Sequence, residues 1–128
     1  MSVSHEDFYL VAQKLEPSAL EIDWRTSAAR SYYGAFHRAS VTSQICPEND
    51  NYKMGSHERV TDRFDLHKSL PARSISYVLQ NMKKIRRVAD YELDGCFLKC
   101  MASAQLASYS VMIDKLDAFE KQNIAKSA

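Results

Sequence analysis

The segment Trp24 to Ala39, WRTSAARSYYGAFHRA, constrains the fold more than any other part of the chain. It reads as a helix with two different faces. Ala28, Ala29, Tyr32, Tyr33, Ala35, Phe36 and Ala39 form a small-and-aromatic face suited to packing. At roughly 100° per residue, Arg30 and His37 fall within about 20° of each other around the axis, two turns apart. Their face points well away from the mean direction of the packing residues. It pairs a strong anion-binding side chain with the side chain best suited to proton transfer near neutral pH.

The rest of the sequence extends the helical pattern. A first helix is expected from Ser4 to Leu15, with Ser4 as N-cap, Glu6 and Asp7 in its first turn and Pro17 ending it. The second helix runs from about Ile22 to Gln44 and contains the opening segment. Pro47 heads a polar loop, Glu48 to Gly55. Ser56 to His67 reads as a short helix or an irregular segment, because Arg59 stands where a capping box would place Glu. A third long helix spans about Ala72 to Asp94, with Ile75, Val78, Leu79, Met82, Ile85, Ala89 and Leu93 on one face.

Gly95 marks a break. The last long helix runs from about Cys96 to Lys121, with Phe97, Met101, Ala104, Ser108, Val111, Leu116 and Phe119 as its stripe. Residues Gln122 to Ala128 are expected to fray. No stretch alternates as a strand should, and three glycines with three prolines leave little turn chemistry for a β-fold. The expectation is one all-α domain, residues 1–128, a bundle of four to five helices with antiparallel long helices.

Composition limits the partners. A formal charge of +1 gives no global attraction to nucleic acid or anionic lipid, so such binding needs a local basic patch. Lys83, Lys84, Arg86 and Arg87 form the densest cluster of that kind. No apolar run is long enough for a transmembrane helix, and MSVSHEDFYL does not read as a signal peptide. The odd cysteine count, Cys46, Cys96 and Cys100, suits a reducing cytoplasm. Cys96 and Cys100 are expected as buried thiols in a helix. His57 and His67 flank a charged stretch without further ligands at metal spacing, so neither metal nor cofactor is expected.

The opening segment RTSAARSYYGAFHRA resembles the helix R-x-x-x-x-R-x-Y-Y-A-x-F-H-A-A of HEPN domains, which are small helical bundles. MKKIRRVADYELD, about fifty residues later, resembles that family's second signature, L-R-x-x-A-D-Y. SHERVTDRF lies between them, where family members often carry a polar segment with a histidine. The resemblance spans roughly residues 20 to 120. It implies a HEPN-like bundle that forms a homodimer and, in many members, a metal-independent endoribonuclease of toxin–antitoxin or phage-defence systems.

Active members of that family carry an arginine and a histidine, with four to six residues between them, near the end of a long helix. Here Arg86 and Arg87 are followed by VADYELD, with no histidine. Arg30 and His37 have six residues between them, but on the earlier helix. Under the nuclease reading Arg30 and His37 are the catalytic pair, and Lys83, Arg86, Arg87, Asp90 and Tyr91 bind RNA or a nucleotide. An antitoxin or other defence protein would then be a natural partner.

Plainer roles fit the same residues. Tyr32, Tyr33 and Phe36 suit a core or a dimer interface. Arg30 is placed to pair with Asp90 or Glu92 across the bundle, and Asp90 with Arg86 or Arg87 along its own helix. The alternative function is a catalytically inactive HEPN module for dimerisation or partner binding, which the missing histidine favours.

Overall fold

Five α-helices and one 3₁₀ turn make up the regular structure of residues 2–50 and 53–127, the part of the chain described by a computed structural model. In order these are α1 (His5–Leu15), α2 (Glu21–Thr42), the turn Ser43–Ile45, α3 (Ser56–His67), α4 (Leu70–Tyr91) and α5 (Lys99–Ser127). No strand occurs among the described residues, and the expected all-α bundle is the observed architecture. No helix among them is long and apolar enough to cross a membrane.

Local chemistry sets the helix ends. The Ser4 backbone N–H donates to Asp7 Oδ2 at 2.7 Å, closing the first turn of α1. Ser18 then folds the chain into α2. Its hydroxyl donates to Asp23 Oδ2 at 2.6 Å, and its carbonyl accepts from Trp24 Nε1 at 2.7 Å. Ser56–His67, ambiguous in sequence, is helical and ends on Lys68 in the left-handed conformation, φ 64°. Ser69 caps α4 by accepting from the Ala72 N–H at 3.2 Å, with Pro71 in the first turn. This cap explains why α4 starts at Leu70 rather than Ala72. The helix ends at Tyr91, before Leu93, which is exposed.

Side-chain contacts fix the directions. Ser27 donates to the Ala12 carbonyl at 2.8 Å, and Gly34 lies against His5, so α1 and α2 run antiparallel. A Cβ on Gly34 would sit 3.0 Å from both the His5 carbonyl oxygen and Tyr109 Cε2, so this crossing needs a glycine. Gln105, buried in α5, donates to the Ala28 carbonyl at 3.3 Å and the Met82 carbonyl at 3.0 Å, joining α5 to α2 and α4. At the far end Arg38 meets Glu120 at 2.7 Å. The main core gathers Tyr32, Phe64, Ile75, Leu79, Met82, Met112, Leu116 and Phe119. A smaller one holds Ala28, Ala89, Phe97 and Ala102.

Three expectations change. The buried face of α5 is Ala102, Gln105, Tyr109, Met112, Leu116 and Phe119, whereas Ala104 and Val111 are exposed. The expected stripe was phased from Phe97, but Phe97 precedes the helix, which starts at Lys99 and continues past Lys121 to Ser127. Ala128 lies outside the described residues. Cys96 and Cys100 are exposed, and only Cys46 is buried. The break at Gly95 takes Cys96 out of the helix, and α5 turns Cys100 outward.

The third change concerns the contact between α2 and α4. It is Arg25, not Arg30, that reaches the end of α4. The Arg25 guanidinium is 5% exposed and donates to the carbonyls of Ala89 (2.9 Å), Glu92 (3.2 Å) and Gly95 (2.7 Å). A helix C-terminus leaves its last carbonyls unpaired and carries partial negative charge, so a buried guanidinium satisfies both. Glu21 Oε2 lies 3.6 Å from Arg25 Nε, and Glu21 Oε1 accepts from the Phe97 N–H at 2.7 Å. Arg25→Met should destabilise the fold by about 3 kcal/mol, because several charged hydrogen bonds to buried carbonyls are lost. Urea unfolding followed by circular dichroism checks this. Thr26→Ala, at a hydroxyl that bonds only within its own helix at 2.8 Å, should change stability by less than about 1 kcal/mol.

Candidate nucleic-acid interface

The packing of α2, α3 and α4 leaves three aromatic rings of α2 against positive side chains of the other two helices. His57, in the first turn of α3, stacks on Phe36 at 4.2 Å between ring centroids and on Tyr32 at 5.6 Å. Its Nδ1 lies 2.6 Å from the Tyr32 hydroxyl. Tyr33 meets it edge-on at 5.9 Å. The ring is thereby held on three sides by α2. Beyond it opens a groove of about 270 Å³ between α3 and α4, lined by His57, Glu58, Lys83, Lys84 and Arg87 among others. No ion pair involves Lys83, Lys84 or Arg87 among the described residues.

Arg86 sits under this surface, 7% exposed. Its guanidinium carbon lies 5.6 Å from the ring centroids of both Tyr32 and Tyr33, and 5.8 Å from that of Tyr91. Such contacts stabilise a cation through the ring faces but satisfy none of its N–H donors. Among the described residues its polar neighbour is Asp90, with Oδ2 3.7 Å from Nη1, beyond hydrogen-bond distance. The buried Nε has no hydrogen-bond partner among the described residues. A largely buried guanidinium with free donors is expensive unless an acceptor reaches it.

Arg30 and His37 share one face of α2 two turns apart, as the helical spacing requires, and both meet Phe8 and Tyr33. Arg30 stands 5.4 Å over Phe8 and 5.0 Å over Tyr33, while the exposed His37 ring is 5.1 Å from Phe8 and 6.5 Å from Tyr33. Both face α1 rather than the end of α4, so neither pairs with Asp90 or Glu92. Tyr33 is nevertheless common ground, with Arg30 and Arg86 both over its ring. Phe36 likewise touches both His37, at 5.4 Å, and His57.

The residues singled out in the sequence therefore fall into two adjoining groups. Arg30 and His37 lie on the α1 side of the rings. Lys83 and Arg87 line the α3–α4 groove, with Arg86 beneath the rings. Asp90 is occupied with Arg86, and Tyr91 is 71% exposed beside it. Sequence reasoning noticed His57 but gave it no place in a site. The Tyr32–His57 contact spans 25 residues and no periodicity reveals it.

Electrostatics distinguish His57. Burial is the largest cause holding its pKa below the ordinary imidazole value, followed by the positive charges of Lys83 and Arg86 and by His37. Burial also raises the Tyr32 phenol, so that it keeps its proton at any physiological pH. His57 is consequently neutral near pH 7, with one ring nitrogen held by a hydroxyl. Among the described residues no three His, Cys, Asp or Glu side chains gather to hold a metal ion.

Comparison with models of known protein families, with curated proteins and with solved structures finds no match to this chain.

His57 should titrate below about 6.5 by NMR, and Lys83→Gln should move it upward by removing a positive neighbour. The linkage follows from the sign. A histidine depressed in the folded state contributes stability that is present above its unfolded pKa and lost as pH falls through the folded value. Wild-type stability should therefore drop as pH is lowered from about 6.5, and less so in His57→Gln.

Proposed function

We propose that this chain is a HEPN-type RNA-binding protein acting as a metal-independent endoribonuclease. The observation that carries the reading is Arg86, a buried guanidinium among three aromatic rings whose Nε has no acceptor among the described residues and whose Nη1 is 3.7 Å from Asp90, on the helix that also carries Lys83 and Arg87. A phosphodiester supplies the missing acceptor oxygens, and guanidinium groups match its geometry. The exposed Tyr91 offers a ring face on which an unpaired base stacks, as in single-strand binding generally.

Cleavage without a metal is chemically reasonable for RNA because the 2′-hydroxyl is an internal nucleophile. An imidazole serves the proton transfers of the displacement, and guanidinium groups stabilise the charge that builds on the phosphate. Arg30 and His37 are proposed for these roles together with Arg86. A homodimer would cover exposed apolar surface beside them. Val3, Val11 and Val41 border the depressions that Arg30 and His37 line with Phe8. A cytoplasmic defence or toxin–antitoxin setting belongs to the same reading.

The second reading, a binding module without catalysis, draws on the sequence after Arg87, where no histidine follows. One experiment separates them. Purified protein is incubated with end-labelled single-stranded RNA in EDTA, and binding is measured in parallel over a range of salt. The expected result is cleavage in EDTA, lowered at least about a hundredfold in His37→Ala. Arg86→Met should weaken RNA binding about tenfold or more and flatten the salt dependence by somewhat less than one ion. Binding without cleavage would establish the second reading; absence of both would remove the first and leave no role for the groove in RNA recognition.

A further inference from the structure

We propose that His57 is the general base of this reaction, taking the proton of the ribose 2′-hydroxyl while His37 protonates the leaving oxygen. The inference rests on the endoribonuclease reading and adds a second acid–base residue to it. It begins from placement. His57 lines the groove that Lys83, Lys84 and Arg87 make positive, so a bound RNA backbone would run past its ring. Both imidazoles contact Phe36, with ring centroids at 4.2 Å for His57 and 5.4 Å for His37, so the two acid–base groups flank one aromatic ring.

The hydrogen bonding of His57 suits a group that gains and loses a proton. Its Nδ1 is held by the Tyr32 hydroxyl at 2.6 Å, and its Nε2 has no partner among the described residues. A hydroxyl both donates and accepts. With Nδ1–H donating to Tyr32 Oη, Nε2 carries a free lone pair and is the base. After Nε2 takes up a proton the same Nδ1–H···Oη bond persists. No hydrogen bond is lost across the cycle, and the buried phenol does not itself give up its proton.

The surroundings keep the base neutral beforehand. From α2 it faces Tyr32, Tyr33 and, more distantly, His37; from α4 it faces Lys83 and Arg86. Within its own helix the neighbouring Glu58 also lines the groove. A bound phosphate would offset the positive charges and raise the basicity of His57 where the proton must be taken.

The step balances. The 2′-oxygen passes its proton to His57 Nε2 and forms a bond to phosphorus. The bond from phosphorus to the 5′-oxygen breaks, and that oxygen takes the proton carried by protonated His37. The products are a 2′,3′-cyclic phosphate and a 5′-hydroxyl, with one proton transferred at each end.

The test is single-turnover cleavage of an oligoribonucleotide from pH 5 to 9, with RNA affinity and circular dichroism measured for every variant. His57→Ala should lower the rate at least about a hundredfold with RNA affinity within about threefold of wild type. The acidic limb of the wild-type pH profile should vanish in this variant, and added imidazole should restore part of the rate. Lys83→Gln should shift that limb to higher pH. Tyr32→Phe, at a positioning residue, should slow cleavage less than His57→Ala and retain the limb.

A His57→Ala protein that cleaves at the wild-type rate, or keeps the acidic limb, overturns the assignment while leaving the nuclease reading intact. Should His57→Ala unfold, His57→Gln is used; a slow His57→Gln that retains the acidic limb overturns it equally. An inactive wild type overturns both inferences together.

Discussion

The structure depends on a buried arginine that completes the end of another helix. Arg25 takes the terminal carbonyls of α4 and the Gly95 carbonyl into one guanidinium, while Glu21 holds both Arg25 and the Phe97 N–H. This locks the start of α2 to the end of α4 and to the approach of α5. Two consequences follow along the helices. Seven positions after Arg25, Tyr32 enters the core, and one position further Tyr33 stands beneath both Arg30 and Arg86. Were α2 free to slide by one turn, about 5.4 Å, Tyr32 and Tyr33 would no longer lie over Arg86, leaving it only the Asp90 and Tyr91 contacts of its own helix.

The same economy explains how a chain of net charge +1 develops a positive groove. Carboxylates and guanidinium groups are sorted by location. At the far end of the bundle Arg38 is met by both Glu120 and Asp117, and the hydrogen bond from Arg38 holds the Glu120 carboxyl below its ordinary pKa. Arg63 donates to the carbonyls of Gln44 and Cys46 and lies 3.9 Å from the Glu48 carboxylate, securing the loop before α3. On the α3–α4 side, Lys83, Lys84 and Arg87 form no ion pair among the described residues. Only Glu58 lies in the groove and only Asp90 approaches Arg86. Charge is thus balanced over the molecule and unbalanced at one surface, the condition for local phosphate recognition in a nearly neutral protein.

The helices were legible because their apolar residues repeat at the helical period, and the breaks because Pro17, Pro47 and Gly95 interrupt it. The joint face of Arg30 and His37 was also legible, since it depends only on spacing along one helix. What sequence could not supply was pairing across the bundle. Arg25 and Arg30 are equivalent as letters, but five positions turn one toward the α4 terminus and the other toward Phe8. The face of α5 was misphased because Gln105 is polar yet buried, satisfied by two carbonyls that belong to other helices. Cys96 and Cys100 were placed inside for another reason: the helix begins at Lys99 rather than Cys96, and that start decides which way they point.

His57 shows the general difficulty most clearly. Its sequence surroundings, Gly55, Ser56 and Glu58, are those of an exposed helix start, and nothing near it titrates unusually on paper. Its character comes from α2 and α4: rings that exclude water on one side, cations on the other, and a hydroxyl at Nδ1. A carboxylate in place of Tyr32 would favour the imidazolium and remove the base. An uncharged hydroxyl holds the ring in both protonation states while leaving its basicity to the surrounding cations. The aromatic segment of α2, which on sequence alone looks only like packing, therefore sets the proton chemistry of a residue on another helix.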